Sequence, residues 1–295
     1  MQGTTAFALD TLGIMIPSKS KMKLVTVAIF SLLLSGCAVS TGQNQEMAFG
    51  HVHGIVDLGN GKMLMGTHAG IYYLTSSGEI AGPIGGNDFD AMGITGNSRV
   101  QYASGHPGPN TPSELGSPNL GVVQSVNAGK AWSPVAFTGL EDFHVLTVGI
   151  KNEIYGLGSS STFLRVSLDG GNTWANGAPI EAVDLAVTPS GSLFAATPEG
   201  VKVSQDNGLS FKVLAGSPAL YNLAPSPNGE LIGVDVKGTL WRLANSSWEK
   251  FGTVNGTVEA LLETESGEVV LVDDRGIVMI KGKEAKVIYS TSGAH

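Results

Sequence analysis

Five histidines in the first half of the chain are the residues best suited to chemistry. His68 and His106 each stand in a glycine-containing turn, one repeat of the chain apart. A neutral imidazole nitrogen is a good ligand for zinc or copper, and it also exchanges a proton near neutral pH. The sixth histidine, His295, ends the chain and is set aside. The candidate metal ligands among the histidines are His51, His53, His68, His106 and His144.

Carboxylates and one thioether recur at related spacings. The tripeptides Asp88–Asp90 and Asp142–His144 occupy the same place in successive repeats, which makes the aspartate that ends the first equivalent to the histidine that ends the second. Asp184 is the nearest polar residue one repeat later. Methionine ligands favour copper over zinc, so Met92 would tilt the choice of metal. Asp90 and Met92 join the candidate ligands, and Asp90, Asp142 and Asp184 are the candidate catalytic carboxylates.

Three interpretations of this set remain open. The residues form a transition-metal site for copper or zinc, a polar catalytic or sugar-binding site, or a structural set that bonds to the backbone or contacts a protein. If they bind a metal, protons compete for the ring nitrogens, so binding should weaken as the pH falls through about 6.5.

The elements that must position these residues recur at a nearly constant step. A strand–turn–strand unit recurs at positions 66, 104, 158, 196, 234 and 272. The one longer interval contains an inserted loop, Pro107–Leu120. Short strands at a period near 40 are typical of propeller blades. The sequence therefore predicts an all-β fold, a six-bladed β-propeller over residues 49–290, with a tail at 291–295 and almost no helix.

The blade register predicts where the histidines lie. Each blade has four strands, A to D from the inside out, and the loops before A and between B and C open on one face, here called the top face. Histidines 51, 53 and 144 open A strands, and histidines 68 and 106 occupy B–C turns. We expect the imidazoles to converge over the channel mouth of blades one to three, with Asp90, Asp142 and Met92 in reach. The inserted loop should lie on the same face.

A second motif marks the turns between strands C and D. The segment Ser167–Trp174 matches the Asp-box, Ser-x-Asp-x-Gly-x-Thr-Trp, and Ser125–Trp132 and Ser204–Phe211 are close variants. In such a turn the acidic side chain caps backbone N–H groups, the glycine takes a positive φ, and the aromatic residue packs between blades. We therefore assign the motif a structural role. Its defining residues are Ser125, Asn127, Gly129 and Trp132; Ser167, Asp169, Gly171 and Trp174; and Ser204, Asp206, Gly208 and Phe211.

These turns resemble the BNR/Asp-box propellers, a group that includes sialidases, sortilin-type receptors and photosystem assembly factors. Over nearly all of residues 49–290 the chain is also similar to a bacterial exported family often labelled glycosylhydrolase. That resemblance implies the fold more than an activity. It rests on the segments His51–Gly54, Gly66–Gly70, Ala103–Gly108, Asn119–Gly121 and Asp142–His144.

Composition and missing motifs argue against several classes of function. The net charge is −8 and no basic tract is present, so nucleic-acid binding is not expected. By blade register only Arg275 among four arginines faces the top, which leaves no three-arginine clamp for a sialic acid carboxylate. No nucleophile elbow and no phosphate-binding loop occurs. A glycoside hydrolase of non-sialidase type needs only two suitably spaced carboxylates, so it stands as the alternative to a binding module.

The N-terminal segment predicts export and a lipid anchor. Three lysines precede the apolar run Leu24–Leu34, and the run ends in a sequence that looks like a lipobox, Leu34–Cys37. Cys37 is the only cysteine, and we expect it to carry the lipid. Residues 37–48 would then be a tether, Met22 the favoured start, and residues 1–36 an upstream over-call followed by a signal peptide.

The sequence thus predicts an exported, monomeric propeller anchored to a bacterial membrane on its periplasmic or extracellular side. It would act as a binding or assembly module whose top face takes copper or zinc, or a protein or glycan partner. A catalytic role is less expected than a binding role.

Overall fold

A computed structural model describes residue 47 and residues 49–227 and 230–290. The predicted signal segment, Cys37, most of the tether and the tail at 291–295 lie outside the described residues. Among the residues that are described, no helix has the length and apolar character needed to cross a membrane.

The fold is a six-bladed β-propeller, as the sequence repeat predicts. Each blade is a four-stranded antiparallel sheet built from four consecutive strands. The first three blades comprise β1 Val52–Asp57, β2 Lys62–Thr67, β3 Gly70–Thr75 and β4 Ile80–Ala81; β5 Asp90–Gly96, β6 Gln101–His106, β7 Val122–Ser125 and β8 Ser133–Ala136; and β9 Phe143–Val148, β10 Ile154–Gly158, β11 Phe163–Ser167 and β12 Ala175–Pro179. The last three comprise β13 Asp184–Val187, β14 Leu193–Thr197, β15 Gly200–Ser204 and β16 Lys212–Val213; β17 Leu220–Pro225, β18 Leu231–Asp235, β19 Thr239–Ala244 and β20 Ser247–Thr253; and β21 Ala260–Glu263, β22 Val269–Asp273, β23 Gly276–Lys281 and β24 Glu284–Ser290. Two single-turn 3-10 segments, Ile84–Gly86 and Ser113–Leu115, are the helical elements of the described residues.

The hydrophobic core is divided among the blade interfaces. Six clusters of buried side chains each join two neighbouring blades. One of them packs Val52 and Met65 of blade one against Val270 and Val272 of blade six, which closes the ring. Because no blade shares a strand with another, closure depends on this packing and on side-chain bonds such as that from the Val52 N–H to Glu259 Oε2 at 2.9 Å.

The innermost strands surround a channel whose cavity is about 350 Å³. All six strands, β1, β5, β9, β13, β17 and β21, contribute to its lining. Four of them carry a β-bulge near the end at which they begin. A bulge inserts an unpaired residue and redirects its side chain, and bulges are common beside functional sites. In β1 and β9 the extra residue is a histidine, His53 and His144 respectively.

Candidate functional site

Four of the five histidines singled out from the sequence lie in two groups of potential ligands at the top face. Group one consists of His53, His68 and Asp90. Group two consists of His106, Asp142 and His144. In each group the potential ligand atoms lie within 4.8 Å of one another. The members of each group come from neighbouring blades, and the single convergent set expected from the sequence stays a prediction.

Group one is a compact triangle of donor atoms. The Nε2 atom of His53 lies 3.2 Å from Nδ1 of His68, and that Nδ1 lies 2.9 Å from Oδ1 of Asp90. The third side, from His53 Nε2 to Asp90 Oδ1, measures 3.5 Å. The bulge in β1, the turn between β2 and β3, and the start of β5 each supply one member. Because His68 contacts Asp90 of the next blade as well as His53 of its own, the group is not a local turn motif.

His53 is the buried member of group one, with only 11 % of its side chain exposed. Burial lowers its pKa to about 3, with smaller contributions from His51, His68 and His144. The imidazole is therefore neutral throughout the neutral pH range. The expected loss of metal binding near pH 6.5 does not apply to His53, because protons compete for this ring only in far more acidic solution.

His51 lies beside group one without belonging to it. Its ring is 4.8 Å from the ring of His53, measured between centroids, and its Nε2 atom is 3.7 Å from Oε1 of Glu259. Glu259 stands immediately before β21 and is not predicted from the sequence as a site residue. It lies within an apolar run that predicts an inner strand, and that run hides it. The signal that could identify Glu259 is an acidic side chain at the point where an A strand begins.

Group two has the opposite distribution of burial. The carboxylate of Asp142 is 5 % exposed, whereas the side chains of His106 and His144 are 44 % and 53 % exposed. Both imidazoles point at one oxygen, with Nε2 of His144 at 2.7 Å and Nε2 of His106 at 3.2 Å from Asp142 Oδ2. The other oxygen, Oδ1, is buried and accepts no hydrogen bond from any described residue.

The inserted loop lies between β6 and β7, at the top face as predicted. It contacts His106, whose Nδ1 atom is 3.4 Å from the carbonyl oxygen of Pro118. Asp88 holds the loop at another point, because its carboxylate accepts hydrogen bonds from Asn110 and Thr111.

Among the predicted carboxylates, Asp184 lies outside both groups. Met92 lies in β5, two positions after Asp90. Asp184 lines the channel with His53 and His144, and its two oxygens accept the N–H groups of Leu185 and Leu223 at 2.8 and 2.7 Å. Burial nevertheless raises its pKa to about 7.

The Asp-box segments form closely similar turns at the opposite end of the blades. In blade three Ser167 Oγ accepts the Gly171 N–H at 2.8 Å, and Asp169 Oδ1 accepts the Thr173 N–H at 2.8 Å. The indole N–H of Trp174 donates to the Gly171 carbonyl at 2.9 Å. In the segments that begin at Ser125 and Ser204, the serine hydroxyl and the side-chain oxygen of the asparagine or aspartate accept the equivalent backbone N–H groups. These side chains complete their own turns, which agrees with a structural role.

No protein-family model and no curated protein matches this chain. Solved structures with a similar fold include a streptogramin B lyase, 14 % identical over 82 % of this chain and 84 % of the other, with a TM-score of 0.52. A virginiamycin B lyase from Staphylococcus aureus is 13 % identical over 83 % and 85 %, with a TM-score of 0.50. The WD40 propeller domain of Doa1 is 12 % identical over 79 % and 93 %, with a TM-score of 0.53. Because two of these are lyases and one is a WD40 domain, the likeness establishes the propeller fold and no activity.

Proposed function

We propose that this propeller is a binding module that holds a transition-metal ion at the mouth of its channel. The observation that carries the proposal is the triangle of donor atoms in group one. Three atoms separated by 2.9, 3.2 and 3.5 Å lie on a circle about 1.9 Å in radius, so an ion about 0.9 Å out of their plane would be about 2.05 Å from each. That distance is the usual bond length from zinc to imidazole nitrogen or carboxylate oxygen.

The chemistry of the donors supports zinc or copper. Two imidazole nitrogens and one carboxylate oxygen suit these borderline ions, and a three-ligand protein site leaves a position for water or a bound partner. The neutral state of His53 removes one proton that the ion would otherwise have to displace. The predicted preference for copper over zinc rests on Met92, which lies in β5 two positions after Asp90.

The proposal includes export and a lipid anchor. The lysine-flanked apolar run and the lipobox-like sequence ending at Cys37 support attachment of the mature chain to a membrane. A protein or glycan bound at the top face would then meet the metal directly. Replacement of Cys37 by Ser should release the propeller from the membrane fraction or trap an unprocessed precursor. Unchanged membrane fractionation of that variant would contradict the anchor.

A glycoside hydrolase of non-sialidase type is the second candidate, and Asp184 is the observation that favours it. A carboxyl group whose pKa is raised to about 7 in a channel is suited to act as a general acid. Asp90 and Asp142 are the candidate partners, although each already contacts two imidazoles. Hydrolysis of a glycan panel by the wild type, abolished in Asp184→Asn, would support this candidate.

The test of the metal proposal is a titration. The purified propeller, stripped with a chelator, should take up Zn²⁺ in isothermal titration calorimetry. Substitution of His68 by Ala removes one corner of the triangle and should abolish uptake at group one, whereas Lys281→Ala changes an exposed side chain that belongs to neither group and should leave uptake intact. Absence of Zn²⁺ and Cu²⁺ binding by the wild type would reject the proposal.

A further inference from the structure

We propose that His106, Asp142 and His144 form a second metal site, separate from group one, and that the inserted loop positions it. The inference extends the proposed function from one ion to two. It rests on different residues and on a different observation from the triangle of group one.

The hydrogen-bonding state of His106 carries the inference. Its Nδ1 atom faces the Pro118 carbonyl oxygen at 3.4 Å, and its Nε2 atom faces Asp142 Oδ2 at 3.2 Å. Both of these oxygens are acceptors, and a neutral imidazole has a single N–H to offer. The single N–H of the neutral ring can point at only one of these two oxygens. The lone pair of the other ring nitrogen would then face the second oxygen, unless a further proton or a metal ion lies between them.

The carboxylate of Asp142 argues for a cation of higher charge than a proton. It is 5 % exposed, and its Oδ1 atom accepts no hydrogen bond from any described residue. A buried carboxylate with one oxygen left without a donor is costly, and a divalent cation compensates its charge more fully than one imidazolium does. His144 Nε2, 2.7 Å from the same Oδ2, supplies a second nitrogen at the same point.

Solvent exposure makes the second site accessible to an ion. The imidazoles of His106 and His144 are about half exposed, so an ion can reach them from the top face while the carboxylate stays buried behind them. The donor set, two Nε2 nitrogens and one oxygen, suits Zn²⁺ or Cu²⁺ as the set of group one does.

The inserted loop supplies the outer support that metal-bound histidines usually have. A ligating imidazole generally donates its other N–H to a carbonyl or carboxylate, which orients the ring. The Pro118 carbonyl stands in that position for His106. The loop is tied down elsewhere by Asp88, which accepts the Asn110 N–H at 3.0 Å and the Thr111 hydroxyl at 3.2 Å. Asp88 is therefore a positioning residue for this site, acting through the loop and Pro118.

The stoichiometry of Zn²⁺ binding tests the second site. The chelator-stripped wild type should bind two Zn²⁺ ions per chain, and Asp90→Asn and Asp142→Asn should each bind one. If the buried Asp142 variant fails to fold, His106→Ala, which changes an exposed side chain, should give the same loss. Substitution of Co²⁺ should give visible absorption whose intensity falls by about half in a variant of either group.

The positioning role of Asp88 needs its own comparison. Asp88→Ala should weaken Zn²⁺ binding at the second site by about 10- to 100-fold and leave the first site unchanged. Thr111→Ala should cause a similar loss and Thr111→Ser should restore binding, because the hydroxyl is what Asp88 holds. Asp57→Ala is the matched control, since Asp57 accepts turn N–H groups in the same way at the other end of the propeller.

The outcomes separate the two proposals. A wild type that binds no metal rejects both. A wild type that binds one ion, lost in Asp90→Asn and kept in Asp142→Asn and His106→Ala, overturns the second site alone. One ion with the opposite pattern overturns the assignment to group one and upholds the second site.

Discussion

Aspartates at the two ends of this propeller use their oxygens in opposite ways. At the Asp-box end, Asp169 and Asp206 accept hydrogen bonds from residues no more than four positions away. At the top face, Asp90 and Asp142 each face at least one imidazole of a neighbouring blade, although Asp142 also faces His144 two positions away. The first arrangement completes a turn and leaves nothing for a ligand. The second gathers ligand atoms from separate elements, as a binding site must.

The largest stability loss should follow from a change at the Asp-box end. Gly171 has a φ of +97°, and a Cβ there would lie 2.3 Å from Val135 Cγ1 of the preceding blade. Gly171→Ala should lower the free energy of unfolding by roughly 2–4 kcal/mol, from backbone strain and overpacking together. Gly191→Ala is the matched control, because Gly191 has a φ of +86° and open space around it. Equal losses in urea denaturation would mean that contact between blades plays no part.

The top face should show the reverse behaviour. The double variant His68→Ala, His106→Ala should change the free energy of unfolding by less than about 0.5 kcal/mol, because both side chains are nearly half exposed. Zn²⁺ affinity should fall by more than about 100-fold, since even outer partners of a metal ligand contribute about 10- to 100-fold. Calorimetry and urea denaturation of the same samples would check both parts. A stability loss comparable to that of Gly171→Ala would show these histidines to be structural.

A smaller effect should come from the serine of an Asp-box. Ser167 is buried and accepts the buried Gly171 N–H, so Ser167→Ala leaves that donor without a partner. The free energy of unfolding should fall by about 1–2 kcal/mol. Zn²⁺ binding should be unchanged, because the turn lies at the other end of the blade. A variant that lost metal with little change in stability would break the distinction between the two ends.

A pH dependence of stability should appear at both ends of the blades, with opposite sign. Asp184, in the channel, has its pKa raised from 3.8 to about 7, so the folded chain binds more protons than the unfolded chain and stability falls as pH rises between about 4 and 7. Asp206, in an Asp-box, has its pKa lowered to about 2, chiefly by the Ser210 hydroxyl, so its contribution is present above about pH 4 and lost below.

Urea denaturation at pH 5 and pH 8 isolates the Asp184 contribution. The decrease in stability between these two values should be smaller in Asp184→Asn than in the wild type. Identical decreases would show that Asp184 does not titrate in this range.

Much of this architecture was predictable from the sequence because it depends on local repetition. The nearly constant spacing of the strand–turn–strand units, the Asp-box turns and the placement of the inserted loop at the top face all follow from residues near one another in the chain. The set of five top-face histidines followed as well, because equivalent positions in successive blades face the same way. The contact of Glu259 with His51 was not predictable in this way, because one acidic residue within an apolar run does not change the pattern of the strand.

What the sequence alone determined is the fold and the face on which each motif lies, since turn chemistry and strand alternation act over a few residues. The tertiary structure alone decided how the histidines divide into two groups, which of their partners are buried, and that His106 faces two acceptors at once. Those facts depend on bulges that redirect His53 and His144 and on how closely neighbouring blades pack. A small shift between adjacent blades decides whether ligand atoms can share one ion, and no local rule of sequence sets that spacing.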